Sequence, residues 1–214
     1  MVRVTEPEVK RRYDASGRRA AAEDRRIRII GAARARFLAG GYHATTIAEI
    51  ATDAGVSPET VYKAFGNRAG LVEAIWNTAL EGEGDRPAET RSDEGARDAA
   101  TPEEILRHWS RMATEVSALA APVYQLVRTA AVTDPQAARL SERIEAARAE
   151  RMTHNVAYLV DGGYLRPDLT AEQARDVVMF ATAELYPAFV ERAGWRPEEY
   201  AELLYRFLRA ALLP

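Results

Sequence analysis

Two helix-start signals flank a glycine corner in the segment HATTIAEIATDAGVSPETVYKAFGNRAGLVEAIW, residues 43–76. Thr46 precedes an apolar-periodic run and has Glu49 three residues on, the spacing of a capping box. Ile47, Ile50 and Ala51 then give a short helix its buried face. Ala54-Gly55-Val56 reads as a tight turn, with Gly55 at a position where a side chain costs energy. Ser57 caps the next helix, and Pro58 falls at its first position, where no amide donor is needed. Gly66 and Asn67 stop that helix, and Asn67 caps a further one carrying Leu71, Val72, Ile75 and Trp76. A chain punctuated in this way has few choices here besides two short crossed helices and a third that braces them.

A helix starting near Ala22 precedes this segment. Ile27, Ile30, Ala33, Ala35, Phe37 and Leu38 form its apolar stripe, and Gly40-Gly41 ends it. The helix, turn and short capped helix together make a helix-turn-helix candidate. Val61 and Phe65 turn inward, while Glu59, Thr60 and Lys63 turn outward. On pattern alone, the unit suits either a DNA reader or a plain three-helix corner.

Charge is unevenly distributed. Residues 1–40 carry 11 Lys/Arg against 5 Asp/Glu, whereas residues 81–214 carry 16 against 23. A polyanion is best held at the amino end. Residues 1–22 read as mostly flexible, and Arg11, Arg12, Arg18 and Arg19 suit either a minor-groove arm or a solvated tail. Residues 81–100 hold 7 acidic and 3 basic residues with three Gly and one Pro, and read as an acidic linker.

The remainder is helical in pattern. Start signals occur at Thr101-Pro102, Asp134-Pro135, Thr170 with Gln173, and Pro197 with Glu198 and Glu199. Pro122 is expected to interrupt the first of these segments. Residues 22–80 are thus expected to form a DNA-binding domain. Residues 81–214 are expected to form a second domain of roughly five helices, beginning with the linker at 81–100. The fold class is all-α: an amino-terminal three-helix helix-turn-helix domain with a larger helical ligand-binding and dimerisation domain.

The chain has no cysteine, which excludes disulfides, thiolate ligands and a cysteine nucleophile. His43, His108 and His154 lie in no metal-spaced motif. No nucleophile elbow or phosphate loop is present, so an enzyme is not expected, nor is any cofactor. No apolar run approaches the roughly 18 residues of a membrane span, and the start lacks an apolar signal core. A cytoplasmic location is the expectation, with no membrane partner.

Residues 23–76 resemble the DNA-binding region of the TetR/AcrR family of transcriptional regulators. The resemblance rests on Phe37, Gly41-Tyr42, Thr45-Thr46, Ile50-Ala51, Ala54-Gly55-Val56-Ser57, Thr60-Val61-Tyr62, Phe65 and Leu71, in order and at the family's spacing. The ending ELYPAFVERAGWRPEEYAELLYRFLRAALL resembles the last two helices of many members. The resemblance implies a homodimer reading a near-palindromic operator in double-stranded DNA, with repression more usual than activation.

It also implies site residues. Thr46 resembles a cap that touches phosphate, and Ser57 the cap of the recognition helix. Pro58, Glu59 and Thr60 are its leading positions, while Tyr62 and Lys63 stand where phosphate contacts are made. Asn67-Arg68 replaces the familiar Ser-Lys pair and keeps both a cap and a positive charge. Tyr42 and Phe65 are expected as core supports. Dimerisation is expected through residues 171–190 and 197–212. The seam is drawn from Val177, Val178, Phe180, Ala181, Leu185, Phe189, Leu203, Leu204, Phe207, Leu208 and Leu212. A small apolar or amphipathic organic effector is expected among Trp109, Met112, Tyr124, Met152, Asn155 and Tyr158. The rival reading is a helical dimeric adaptor or structural protein without specific DNA binding. The intact Thr46, Ser57, Tyr62, Lys63 and Arg68 speak against it.

Overall fold

The computed structural model describes residues 15–84 and 86–214, with the side chains of residues 15 and 16 set aside. The described residues are helical and contain no strand. Helix α1 spans Ala15–Gly40, α2 Ile47–Ala54, α3 Pro58–Phe65 and α4 Arg68–Glu81. They are followed by α5 (Ala88–Asp98), α6 (Pro102–Ala131), α7 (Pro135–Asp161), α8 (Ala171–Tyr186) and α9 (Pro197–Leu212). A π-helical turn, Pro187–Arg192, continues α8.

The expected start signals operate as hydrogen bonds. The Thr46 hydroxyl accepts from the Glu49 amide at 3.2 Å, while the Glu49 carboxylate accepts from the Thr46 amide at 2.9 Å. Gly55 closes α2 with φ 66°, a left-handed conformation that suits glycine. The Asn67 side chain accepts from the Gly70 amide at 2.9 Å and opens α4. Gly70 is needed for a second reason: a Cβ there would overlap the Phe65 carbonyl oxygen. The close corner between α3 and α4 depends on that missing carbon. Thr101 caps α6, but Glu104 closes its box differently, accepting from the Ala100 amide at 2.8 Å.

Four sequence expectations change. Helix α1 begins at Ala15, so residues 15–22 are not a flexible lead. The Ala20-Ala21-Ala22 run, with arginines before it, favours helix without needing an apolar stripe. Arg18 and Arg19 lie on this helix, whereas Arg11 and Arg12 fall outside the described residues. The buried stripe of α1 is Ile29, Ala33 and Phe37, at helical spacing. Ile27 is 59% and Leu38 39% exposed, so neither belongs to it.

The acidic segment contains α5. Its buried face is made only of Ala88, Ser92 and Ala96, small residues whose weak periodicity a composition reading hides. An ion pair between Arg91 and Glu115, 2.5 Å apart, fastens it to α6. Pro122 does not end a helix either. It lies within α6, which runs through it for 30 residues. Its missing amide costs the Ala118 carbonyl its helical donor. One residue on, the Leu119 carbonyl lies 3.5 Å from an Arg34 nitrogen.

Two apolar cores organise the fold. The first joins Ile29, Phe37, Ile50, Val61, Leu71 and Ile75 to Val123, Val127, Leu140 and Ile144. The amino-terminal helices therefore share a core with parts of α6 and α7. The second gathers Leu106, Trp109, Leu159, Tyr200, Leu204 and Leu208 from the later helices.

Candidate nucleic-acid interface and helical cavity

Helix α3 leaves most of its surface to solvent. Val61 is fully buried and Phe65 half-buried, while Glu59, Tyr62 and Lys63 are exposed. Pro58 and Thr60 are half-buried, and Thr46 and Ser57 are exposed at their caps. The Ser57 hydroxyl accepts from the Thr60 amide at 3.3 Å and lies 3.1 Å from the Thr60 hydroxyl. Thr46, Ser57, Thr60, Tyr62 and Lys63 are thus carried by the two short helices and their caps. A bond to its own backbone amide, and one to Ser57, hold the Glu59 carboxyl below its usual range.

The α1 arginines brace this unit. Arg36 makes paired bonds to the Asp53 carboxylate at 2.5 and 2.9 Å and approaches Glu49 at 3.7 Å. The Arg28 side chain reaches the Ala54 carbonyl at 3.5 Å, and Arg26 lies over the Phe65 ring at 4.9 Å. The Tyr42 ring is buried and stacks on Phe37 at 5.9 Å between centroids.

Arg68 is placed differently from the exposed α3 residues. Its guanidinium donates to the Tyr42 and His43 carbonyls at 3.3 and 3.2 Å and lies over the Tyr42 ring at 4.9 Å. Across the boundary it approaches the Asp134 carboxylate at 3.8 Å. His43 adds a second link, with its Nε2 3.0 Å from the Thr133 hydroxyl. The loop between α6 and α7 is thereby tied to the base of the helix-turn-helix unit. Sequence alone gave no signal for this contact, which joins residues far apart along the chain.

A cavity of about 510 Å³ lies among α4, α5, α6, α7 and α8. Trp109, Met112, Tyr124, Met152 and Asn155 line it, as expected. Tyr158 does not. It meets His154 edge-on at 5.6 Å and packs against the second core. Three residues past Asn155, it stands at the edge of that helix face and turns to the second core instead.

Two kinds of wall residue escaped the sequence reading. Trp76, read only as a core residue of α4, lines the cavity and faces Tyr124 with ring centroids 6.1 Å apart. Arg148 and Arg151 come from the charged middle of α7, which pattern alone assigns to solvent. Arg148 donates to the Tyr124 hydroxyl oxygen at 3.0 Å, the Glu145 carboxylate at 3.2 Å and the Met179 carbonyl at 2.8 Å. Tyr124 in turn donates to Glu145. Burial, with that bond to a carboxylate, pushes the Tyr124 hydroxyl up to about 12. Arg151 is paired with Asp93 at 2.6 Å.

Residues 29–75 match the family model described as bacterial regulatory proteins, tetR family. None of the curated proteins matches the chain. Among solved structures, it is similar to NalD, the secondary repressor of the MexAB-OprM multidrug efflux pump in Pseudomonas aeruginosa. The TM-score is 0.70 at 20% identity, covering 90% of this chain and 98% of that one. FadR of Bacillus subtilis, in complex with stearoyl-CoA, gives 0.71 at 18%, covering 86% and 98%. The TetR family regulator PfmR of Thermus thermophilus gives 0.62 at 19%, covering 85% and 96%. At these identities the similarity establishes a shared fold along the chain.

Proposed function

We propose, for a chain that belongs to the tetR family of bacterial regulatory proteins, the role of an operator-binding repressor that a small organic effector releases. The chain is a DNA-binding transcriptional regulator. The finer reading concerns which surfaces it uses and what switches it.

The observation that carries this reading is α3, a capped helix that buries only Val61 fully and leaves Glu59, Tyr62 and Lys63 exposed. An α-helix of this size fits the major groove, and its amino end adds backbone donors for phosphate. In this reading Thr60 meets base edges, Thr46, Tyr62 and Lys63 meet phosphates, and Ser57 and Pro58 hold the helix start. Glu59 either accepts from a cytosine amine or supports the helix's amino end. Arg68 acts here by holding the unit in place.

Two copies are needed to read a near-palindrome. The dimer seam is proposed on α8 and α9, where Phe180 is 58% and Phe207 44% exposed. Val178, Ala181, Leu204, Leu208 and Leu212 are buried within the chain and hold those helices in place. The effector is proposed to occupy the cavity. Trp76 belongs both to its wall and to the core of the amino-terminal helices. An occupant that shifts Trp76 would favour a geometry in which the two α3 helices no longer match their half-sites, a population shift between two dimer forms.

Selection from random duplex DNA with the purified chain tests the reading. Convergence on a two-fold repeat is expected. A pool that stays random at moderate salt would contradict operator binding and favour the adaptor reading.

A further inference from the structure

Helix α1 starts well before the domain that it packs into. Ile29 is its first buried side chain among the described residues, whereas residues 17–28 are exposed. Two contacts fix where the helix leaves the reading unit. The Arg28 Nε donates to the Ala54 carbonyl at 3.5 Å, and Arg26 lies over the Phe65 ring at 4.9 Å. Ala54 ends α2 and Phe65 ends α3. The leading turns of α1 therefore emerge beside the last turn of α3, which carries the exposed Lys63.

Those turns carry a face of one charge sign. Counting back from Ile29 at about 3.6 residues per turn, Arg25 and Arg26, then Ala22, then Arg18 and Arg19 continue the side that Ile29, Ala33 and Phe37 bury further on. Glu23 and Asp24 fall roughly 120–140° away from that line. The side of α1 that meets apolar core within the domain is thus an arginine face beyond it. Arg19 and Arg25 have no ion pair or hydrogen bond among the described residues, although Glu23 stands four residues after Arg19. Glu49 and Asp53, the carboxylates of α2, are engaged by Arg36. Glu59, the carboxylate of α3, lies in the first turn of that helix, at its other end.

We infer that the leading turns of α1 are a phosphate-binding extension of the reading unit, in which Arg19 and Arg25 hold the DNA backbone beside the base pairs that α3 reads. This deepens the operator-binding reading and rests on it. The arginine face is continuous with Lys63 and is broken by no carboxylate, which suits a polyanion. It does not suit an apolar partner, because Ile27, the large apolar residue of these turns and 59% exposed, lies on the opposite side of the helix. A guanidinium fork pairs with two phosphate oxygens at once. From Arg26 back to Arg19 the helix rises about 10 Å, the length of about three base pairs. A helix roughly 10 Å across does not enter a minor groove of about 6 Å, so Arg19 serves the backbone and not a minor-groove arm. Contacts of this kind add affinity and salt dependence without sequence preference.

The test compares the full chain with Arg19→Gln/Arg25→Gln on the selected duplex. Glutamine keeps the helix propensity of these exposed positions and removes the charge. The variant should bind about tenfold more weakly at moderate salt, and its slope of log affinity against log salt should fall by about 2 per chain. Its base preferences in a repeated selection should match those of the wild type. Phosphate-ethylation interference should show phosphates whose modification weakens the wild type and not the variant, and these should differ from the phosphates lost in Lys63→Ala. Glu23→Gln/Asp24→Asn, on the other side of the helix, should keep the wild-type interference pattern. Unchanged affinity and salt slope in the arginine variant would overturn the inference. A changed base preference would also overturn it, since the arginines would then read a groove.

The same measurements separate this inference from the function it rests on. A converged operator that wild type and variant bind alike overturns the extension and leaves operator binding intact. A chain that selects no operator, yet binds random duplex with a salt slope that falls in the variant, supports the extension and overturns operator reading. A chain that binds no duplex overturns both.

Discussion

The Arg68 guanidinium stands 3.8 Å from the Asp134 carboxylate and joins the first turn of α4 to the cap of α7. Asp134 has a second duty, accepting from the Gln136 and Ala137 amides at 2.8 and 3.0 Å. Asp134→Asn keeps a competent cap and removes the charge. The pair is partly exposed, so stability should change by less than about 1 kcal/mol. The unit that Arg68 holds would then be freer to shift, and operator affinity should fall about threefold, a loss of under 1 kcal/mol. Fluorescence anisotropy with the selected duplex measures it. An unchanged or tighter affinity would contradict the role given to this contact.

Gly70 tests the α3–α4 corner. A methyl group there would overlap the Phe65 carbonyl oxygen, which is backbone and has little room to give. Gly70→Ala should cost about 1–3 kcal/mol, in the range of other overpacked sites. It should also lower operator affinity by displacing α3. Urea unfolding and anisotropy on the same preparation check both effects. Wild-type stability would show that the corner is looser than described.

Lys63 and Thr60 are assigned different duties. Lys63→Ala should weaken all duplexes about equally and reduce the slope of log affinity against log salt by about 1. Thr60→Ala should change which bases are retained at one position of each half-site and leave the salt slope unchanged. Titrations at several salt concentrations, with a repeated selection for the Thr60 variant, separate the two. A salt slope untouched by Lys63→Ala would remove that residue from the phosphate contacts.

Tyr124 gives an alkaline signature. Its hydroxyl is raised from 10.0 to about 12 in the folded chain. Between these values the unfolded chain has lost a proton that the folded chain retains, so stability must fall as pH rises. The contribution is complete below pH 10.0 and is lost by about pH 12. A shift of this size corresponds to roughly 3 kcal/mol across the window. Tyr124→Phe is less stable at neutral pH, having lost bonds to Glu145 and Arg148, yet its stability should fall less steeply above pH 10. Denaturant midpoints from pH 9 to 12 measure the slope. Parallel slopes for the two proteins would show that Tyr124 titrates normally.

Local signals made the amino-terminal unit legible in the sequence. Thr46, Gly55, Ser57, Pro58 and Asn67 each act within a few residues, and each has the bond or conformation that its type implies. The later helix starts at Thr101, Asp134 and Thr170 were readable for the same reason. Helix α5 was not, because Ala88, Ser92 and Ala96 bury a face too weakly apolar to register as periodic. Pro122 misled in the opposite sense, since a long, well-packed helix absorbs one lost bond. Five cavity residues were found by type and position, but Arg148 and Arg151 were hidden by their charge. Only the fold brings Asp93 beside Arg151, whereas Glu145 stands three residues before Arg148 on the same helix. The Arg68–Asp134 contact was hidden by its separation along the chain.

The central claim is that two copies of this chain place their α3 helices on two half-sites of one operator. The most direct measurement is the stoichiometry and affinity of the purified chain on the selected palindrome, a single half-site and a scrambled duplex at one salt concentration. The account predicts two chains on the palindrome, with affinity at least about a thousandfold above the scrambled duplex, and much weaker binding to the half-site. Equal affinity for all three duplexes would contradict it.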